Sequence, residues 1–187
     1  MKLFDTTLPE VKIVVPRRIV DARGLFCEVW NAREFASIGI DPNFVQDNHV
    51  SNPRKGTVRG LHYQIPPAAQ GKLIRVSRGA IFDVAVDVRR RSPTFGRYAH
   101  AILTADNWKQ FWVPIGFAHG YCTLEDDTEV QYKVTDFYSP AQDRGIAWND
   151  PDIMIAWPVT AEDALVSERD QIHPRLDQQP DLLECRP

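Results

Sequence analysis

The sequence predicts a mainly β protein, a sandwich or barrel of antiparallel strands with a few short helices. Three observations carry that expectation. Short apolar runs recur along the chain at fairly regular spacing, separated by turn residues. The run AIFDVAVDV, 80–88, alternates with a period of two, so Phe82, Val84, Val86 and Val88 share one face and Ile81, Asp83, Ala85 and Asp87 the other. Helical signals are few, and no internal repeat or low-complexity linker interrupts the pattern.

In chain order, strands are expected at 11–15 and 26–30. A short helix follows at 31–39, NAREFASIG, ended by Gly39. Further strands are expected at 44–48 and 57–64. KLIRVSRG, 72–79, turns at Arg78-Gly79 into the 80–88 strand, whose valine face is expected to meet the core. Strands at 97–104, 109–113, 118–124 and 128–136 follow, with ADN (105–107) and EDD (125–127) as tight turns. TAEDALVSERD, 160–170, has capping-box spacing at Thr160 and Asp163 and predicts a second helix. Beyond Pro174 the chain is polar and proline-containing, a tail from about 175 that would wrap the surface or fray.

With 187 residues, 43% hydrophobic and 25% charged, the chain fits one domain, 1–187, with a real core. A net charge of −3 points to neither a nucleic-acid nor a membrane partner. Three widely spaced cysteines, Cys27, Cys122 and Cys185, with no CxxC, argue against a disulfide framework or a zinc knuckle. MKLFDTTLPE lacks the apolar run of a signal peptide, and no stretch has the length of a membrane span, so a cytoplasmic protein is expected.

Two segments carry chemistry. RGLHYQIPPAAQGKL, 59–73, sets His62 and Lys72 close to a run that otherwise reads as core strand. PIGFAHG, 114–120, has the form P-x-G-x-x-H and resembles the second motif of cupin barrels. Metal-binding cupins supply H-x-H and a following glutamate from their first motif. Here that position reads His62-Tyr63-Gln64, and no glutamate soon follows. His62 and His119 alone make a poor divalent site, because a stable one wants three or more protein ligands, so no metal is expected. Acid–base chemistry is the better use. A histidine accepts a proton near neutral pH, needs a carboxylate to fix its tautomer, and a cation such as Lys72 can stabilise an enolate. Inverting a stereocentre also needs a proton donor on the opposite face.

The ordered set KGTVRGLHYQIPPAAQGKLIRVSRGAIFDVAVDVRRRSPTFG (55–96), FWVPIGFAHG (111–120), EVQYKVTDFYSP (129–140) and WNDPDI (148–153), with FVQDNH (44–49) and DARGLFCEVW (21–30), resembles the dTDP-4-dehydrorhamnose 3,5-epimerases. The resemblance runs from about residue 11 to about 176. It implies a cupin-like jelly-roll barrel and a homodimer to which the N-terminal strand region contributes. It also implies a cofactor-free enzyme acting on a dTDP-4-keto-6-deoxy sugar. By resemblance, His62 is the base, Asp170 the carboxylate that orients it, Tyr132 the acid on the far face, and Lys72 the group at the enolate oxygen. Asp83 and His119 shape the pocket. Gln46, Asn48 and Arg59 meet the sugar and diphosphate, and Tyr138 is a stacking candidate near the base. Arg23, Phe26 and Glu28 reach the nucleotide from the partner subunit.

Local patterns suggest plainer roles for some of these residues. Asp170 in SERD (167–170) has capping-box spacing, and Tyr132 shares a strand face with Val130 and Val134. Strict alternation turns Arg59 away from His62, so a bulge or a neighbouring subunit is needed to reunite them. Arg89, Arg90 and Arg91 read as a solvated loop. Alternatives to the double epimerase are a mono-epimerase of a related keto sugar, a metal-dependent cupin enzyme, and a non-catalytic sugar-nucleotide binder.

Overall fold

The computed structural model describes residues 1–40 and 43–184. Two six-membered groups of strands form its body. One sheet runs in the order β1 (Lys2–Asp5), β2 (Lys12–Val15), β11 (Gln110–Val113), β7 (Lys72–Arg78), β13 (Thr128–Val134) and β5 (Gln46–Asn52). The other runs β10 (Tyr98–Thr104), β8 (Ala80–Asp87), β12 (Phe117–Thr123), β6 (Thr57–Gln64) and β14 (Asp143–Gly145), with β15 (Leu165–Val166) parallel to β6. β3 (Arg18–Asp21) and β4 (Gly24–Cys27) make a separate hairpin, and β16 (Leu183–Glu184) pairs with β9 (Arg89–Arg90). Apart from β15 and β16, the pairings are antiparallel, as the sequence predicts.

The alternating 80–88 run becomes a strand buried on both faces, because two cores meet there. Ile81 and Ala85 pack inside the sandwich with Ile74, Phe111, Phe117 and Val130. Phe82, Val84, Val86 and Val88 point the other way, into a second core closed by Ile146, Trp148, Ile153 and Leu176. The valine face therefore lies outside the sandwich, under the C-terminal segment. At roughly 1.5–3 kcal/mol for each large apolar side chain buried, this outer layer is a main source of stability and not a cover.

The tail does not fray over its described part. Leu176 is buried, Gln179 Nε2 donates to the Gly145 carbonyl at 2.7 Å, and β16 extends the pairing at β9. The expected 31–39 helix is present as α1 (Ala32–Ser37), capped by Asn31 Oδ1, which accepts from Arg33 N and Glu34 N. The expected 160–170 helix does not form. Thr160 and Asp163 make their capping bonds, but only one turn follows. Leu165 and Val166 join β6 instead, because tertiary pairing outweighs local helix preference. The helix is reduced to α2 (Glu168–Gln171), capped by Ser167 Oγ on Asp170 N.

The strand expected at 26–30 ends at Cys27, and the one at 44–48 runs from Gln46 to Asn52. Arg89 is not solvated. It bonds Asp87 at 2.7 Å and Glu10 at 2.9 Å and lies 4.4 Å above the Phe117 ring. Asp87 is fully buried and also accepts from Ser92 and Thr94. Cys27 and Cys122 are free thiols; Cys185 lies outside the described residues. Among the described residues no helix is long and apolar enough to cross a membrane.

Burial opposes the Asp87 charge, but the donors from Arg89, Ser92 and Thr94 outweigh it and hold the carboxyl below its ordinary value of 3.8. A depressed folded value means the contribution is complete above that ordinary value and is lost as pH falls through the folded one. Asp87→Ala should lower the unfolding free energy by about 3 kcal/mol in urea at neutral pH, and the gap to the parent should shrink in acid. A gap that is constant with pH would remove the ionised carboxylate from the account.

Candidate active site

The site is built on an irregularity in β6. His119 pairs with His62, but Tyr121 pairs with Arg59, so β6 carries one more residue than β12 between these points. Gly60 absorbs it, with φ +115°. A Cβ there would lie 2.7 Å from both Gly120 Cα and the His119 carbonyl oxygen, so only glycine lets the two backbones approach. The bulge cancels strict alternation, and Arg59 and His62 both face one cavity of about 500 Å³ between the two sheets. The expectation that Arg59 points away from His62 is thus corrected within one chain.

His62 Nε2 lies 2.7 Å from Asp170 Oδ1. The other carboxylate oxygen accepts from the Gly60 N–H at 3.1 Å. A carboxylate only accepts, so Nε2 carries the ring proton and Nδ1 keeps its lone pair. The two residues are 108 positions apart, and the pairing of β15 on β6 is what delivers α2 to this end of the sheet. Asp170 does sit in a capped turn, but Ser167 provides the cap and the Asp170 side chain turns to His62. Burial works against its charge, yet the His62 hydrogen bond, the imidazoles and the Gly60 N–H hold its pKa at about 2.

Lys72, at the start of β7, is buried, and its Nζ donates to the His62 carbonyl at 3.2 Å. Desolvation, only partly offset by Asp143 and Asp83, brings its pKa down to about 8. Tyr132, on β13 of the opposite sheet, packs its ring against the inner core and also lines the cavity. Tyr132 is therefore packed in the core and open to the cavity at once. Burial, eased by Arg59, raises its phenol above the ordinary value. Behind them, His119 Nε2 and Asp83 Oδ1 lie 2.6 Å apart, deeply buried. Desolvation raises the Asp83 carboxyl and lowers His119, while each group's interaction with the other opposes its shift.

A second cavity of about 350 Å³ shares His62, Lys72 and Tyr132 and extends to Gln46, Asn48 and Tyr138. Gln46 Nε2 donates to Asn48 Oδ1 at 2.8 Å, and Gln46 Oε1 accepts from Tyr138 N at 3.2 Å. Arg23, Phe26 and Glu28 line neither cavity. They belong to the β3–β4 hairpin and the residue beyond it, where Ile19, Val20 and Phe26 stand exposed.

Sequence reasoning missed several neighbours. Asn52 Oδ1 accepts from Arg59 Nε at 2.8 Å and from the Tyr121 hydroxyl at 3.3 Å. Tyr121 stands two residues after His119 on β12, and period-two reasoning could have found it. His173 Nε2 lies 3.4 Å from Asp170 Oδ1, and Asp143 accepts from Arg169 and from the Tyr138 hydroxyl.

An antiparallel jelly roll of the cupin kind, with a carboxylate-oriented imidazole facing a phenol inside it, defines a class of proton-transfer enzyme. The chain belongs to the dTDP-4-dehydrorhamnose 3,5-epimerase family, whose model, so described, matches residues 5–178. A dTDP-4-dehydrorhamnose 3,5-epimerase of Shigella flexneri is 48% identical over 171 residues, 91% of this chain and 93% of the relative. The crystal structure of the Bacillus anthracis enzyme of that name, with TDP and PPi bound, superposes with a TM-score of 0.89 at 46% identity, covering 93% of this chain and 98% of that one. The Legionella pneumophila dTDP-6-deoxy-D-glucose-3,5-epimerase, in complex with dTDP-4-keto-L-rhamnose, gives 0.93 at 39% identity over 100% and 99%.

Gly60→Ala should lose about 2 kcal/mol of stability and most of its turnover, since the Gly120 backbone must move and Arg59 and His62 shift with it. Urea unfolding and steady-state rates measure both. Parent-like values of each would mean that the bulge does not organise the site.

Proposed function

We propose that this chain converts dTDP-4-dehydro-6-deoxy-D-glucose to dTDP-4-dehydro-L-rhamnose by inverting C3 and C5. The observation that carries this reading is the 2.7 Å His62–Asp170 pair opening onto a cavity that Tyr132 lines from the other sheet. The C4 ketone acidifies the hydrogens on both neighbouring carbons. His62 Nδ1 takes one of these protons, and Asp170 stabilises the imidazolium through Nε2–H. The electrons move onto the C4 oxygen, where the Lys72 ammonium offsets the developing charge. Tyr132, kept protonated by its raised pKa, returns a proton to the opposite face. One C–H bond breaks and one forms at each carbon, with no net change in oxidation state, so the steps require neither nicotinamide nor metal.

Arg59 suits the diphosphate, since a guanidinium fork matches phosphate oxygens. Gln46, Asn48 and Tyr138 extend the cleft toward the rest of the nucleotide, with His119 and Asp83 as a buried polar floor. The exposed apolar side chains of the β3–β4 hairpin support a homodimer in which Arg23, Phe26 and Glu28 reach the partner's nucleotide. A cytoplasmic location fits this biosynthetic chemistry.

In deuterated water the 4-keto sugar nucleotide should take label at both C3 and C5; label at one carbon alone would make the chain a mono-epimerase. His62→Ala should abolish exchange, and parent-like exchange in that variant would remove His62 from its role. Tyr132→Phe should keep the first exchange while losing about 10²-fold or more in product formation. Lys72→Met should lower kcat by about 10²-fold or more with a smaller effect on KM, because its charge matters most in the transition state.

A further inference from the structure

We propose that His62, Asp170 and His173 form a binding site for a divalent transition ion such as Zn2+, and that its occupation switches the proton-transfer dyad off. One ligand atom from each residue lies within 4.8 Å of the others. Asp170 Oδ1 is shared, 2.7 Å from His62 Nε2 and 3.4 Å from His173 Nε2. Ligands at about 2.0–2.1 Å from a tetrahedral zinc stand about 3.3 Å apart, so small movements of the rings would complete the shell. His62, Asp170 and His173 make up three protein ligands, a number that His62 and His119 alone do not reach, and the set suits zinc.

His173 is built into this position and neither gives nor takes a proton in the proposed reaction. Its ring lies where Gly145 leaves room, since a Cβ there would overlap it. Its Nε2 is buried, lies within ion-pair distance of Asp170, and makes no hydrogen bond. Asp170 Oδ2 is held by the Gly60 N–H at 3.1 Å, which orients Oδ1 toward the two rings in the manner of an outer-shell donor. His62 is 31% exposed, His173 12% and Asp170 5%, so an ion can enter past His62 and keep one position for water.

The consequence for catalysis follows from the tautomer. Metal on Nε2 takes that nitrogen's lone pair, and the single ring proton of neutral His62 must then sit on Nδ1. The nitrogen facing the substrate loses the lone pair it needs as base. The ion sits on the Asp170 side of the ring, so substrate entry remains open and kcat falls while KM is little changed. This effect on turnover rests on the epimerase reading; the metal binding itself does not.

The test uses the full chain, ZnCl2 and, as a spectroscopic probe, CoCl2. Calorimetry should show one zinc per chain, Co2+ should give the visible bands of a four-coordinate ion, and EDTA should restore activity. His173→Ala should need about 100-fold more zinc than the parent for half-inhibition, each measured against that protein's own zinc-free rate. His173→Gln, closer in size and polarity, should behave the same way and guards against misfolding of the first variant. Inhibition of either folded variant at the parent's zinc concentration would overturn the site, as would failure of the parent to bind Zn2+ or Co2+. A rise in KM with unchanged kcat would overturn the tautomer mechanism. Co2+ bands that require His173 in a chain without epimerase activity would keep the site and reject the functional reading.

Discussion

The hydrogen bond between His62 Nε2 and Asp170 Oδ1 is the interaction on which the rest of the site depends. It decides which ring nitrogen is protonated and which keeps its lone pair. A buried carboxylate is costly unless it is fully bonded, and Asp170 has donors on both oxygens, from His62 and from the Gly60 backbone. The same residue therefore ties the helix after β15 to the bulge in β6. The pair and the local fold stabilise each other.

The two cores explain how the cleft stays in shape. One fills the space between the sheets, and the other clamps the outer face of β6, β8 and β12 under Ile146, Trp148, Ile153 and Leu176. A sheet buried on both faces cannot relax easily, because packed interiors tolerate little change in volume. Strands of such a sheet can hold polar groups in the inner cavity, including the buried Asp83–His119 pair, without loosening around them. The cost of burying that pair is reduced by the 2.6 Å hydrogen bond between its members.

The site is also divided between sheets in a way that suits inversion of a carbon. His62 stands on β6 and Tyr132 on β13, and Lys72 on β7 approaches from beside them. A ring lying between the sheets would meet His62 from one sheet and Tyr132 from the other. Tyr132 belongs to both environments: its ring packs in the core, and burial keeps its hydroxyl protonated at the cavity.

By itself the sequence determined the antiparallel β class, the bounds of β6, the hairpin from β7 into β8, and the residues that match the epimerase motifs. Those features are local: a period of two, a turn dipeptide, a short quoted string. The three-dimensional fold alone decided that Asp170 meets His62 across 108 positions, that a bulge at Gly60 turns Arg59 inward, and that 165–166 pairs as a strand. It also decided that the valine face of β8 serves an outer core and that Arg89 is pinned by Asp87. Periodicity states which side chains share a face, but it cannot state what covers that face. An extra residue in a ladder, or a partner brought from a distant segment, is chosen by packing energy that no short window of sequence contains.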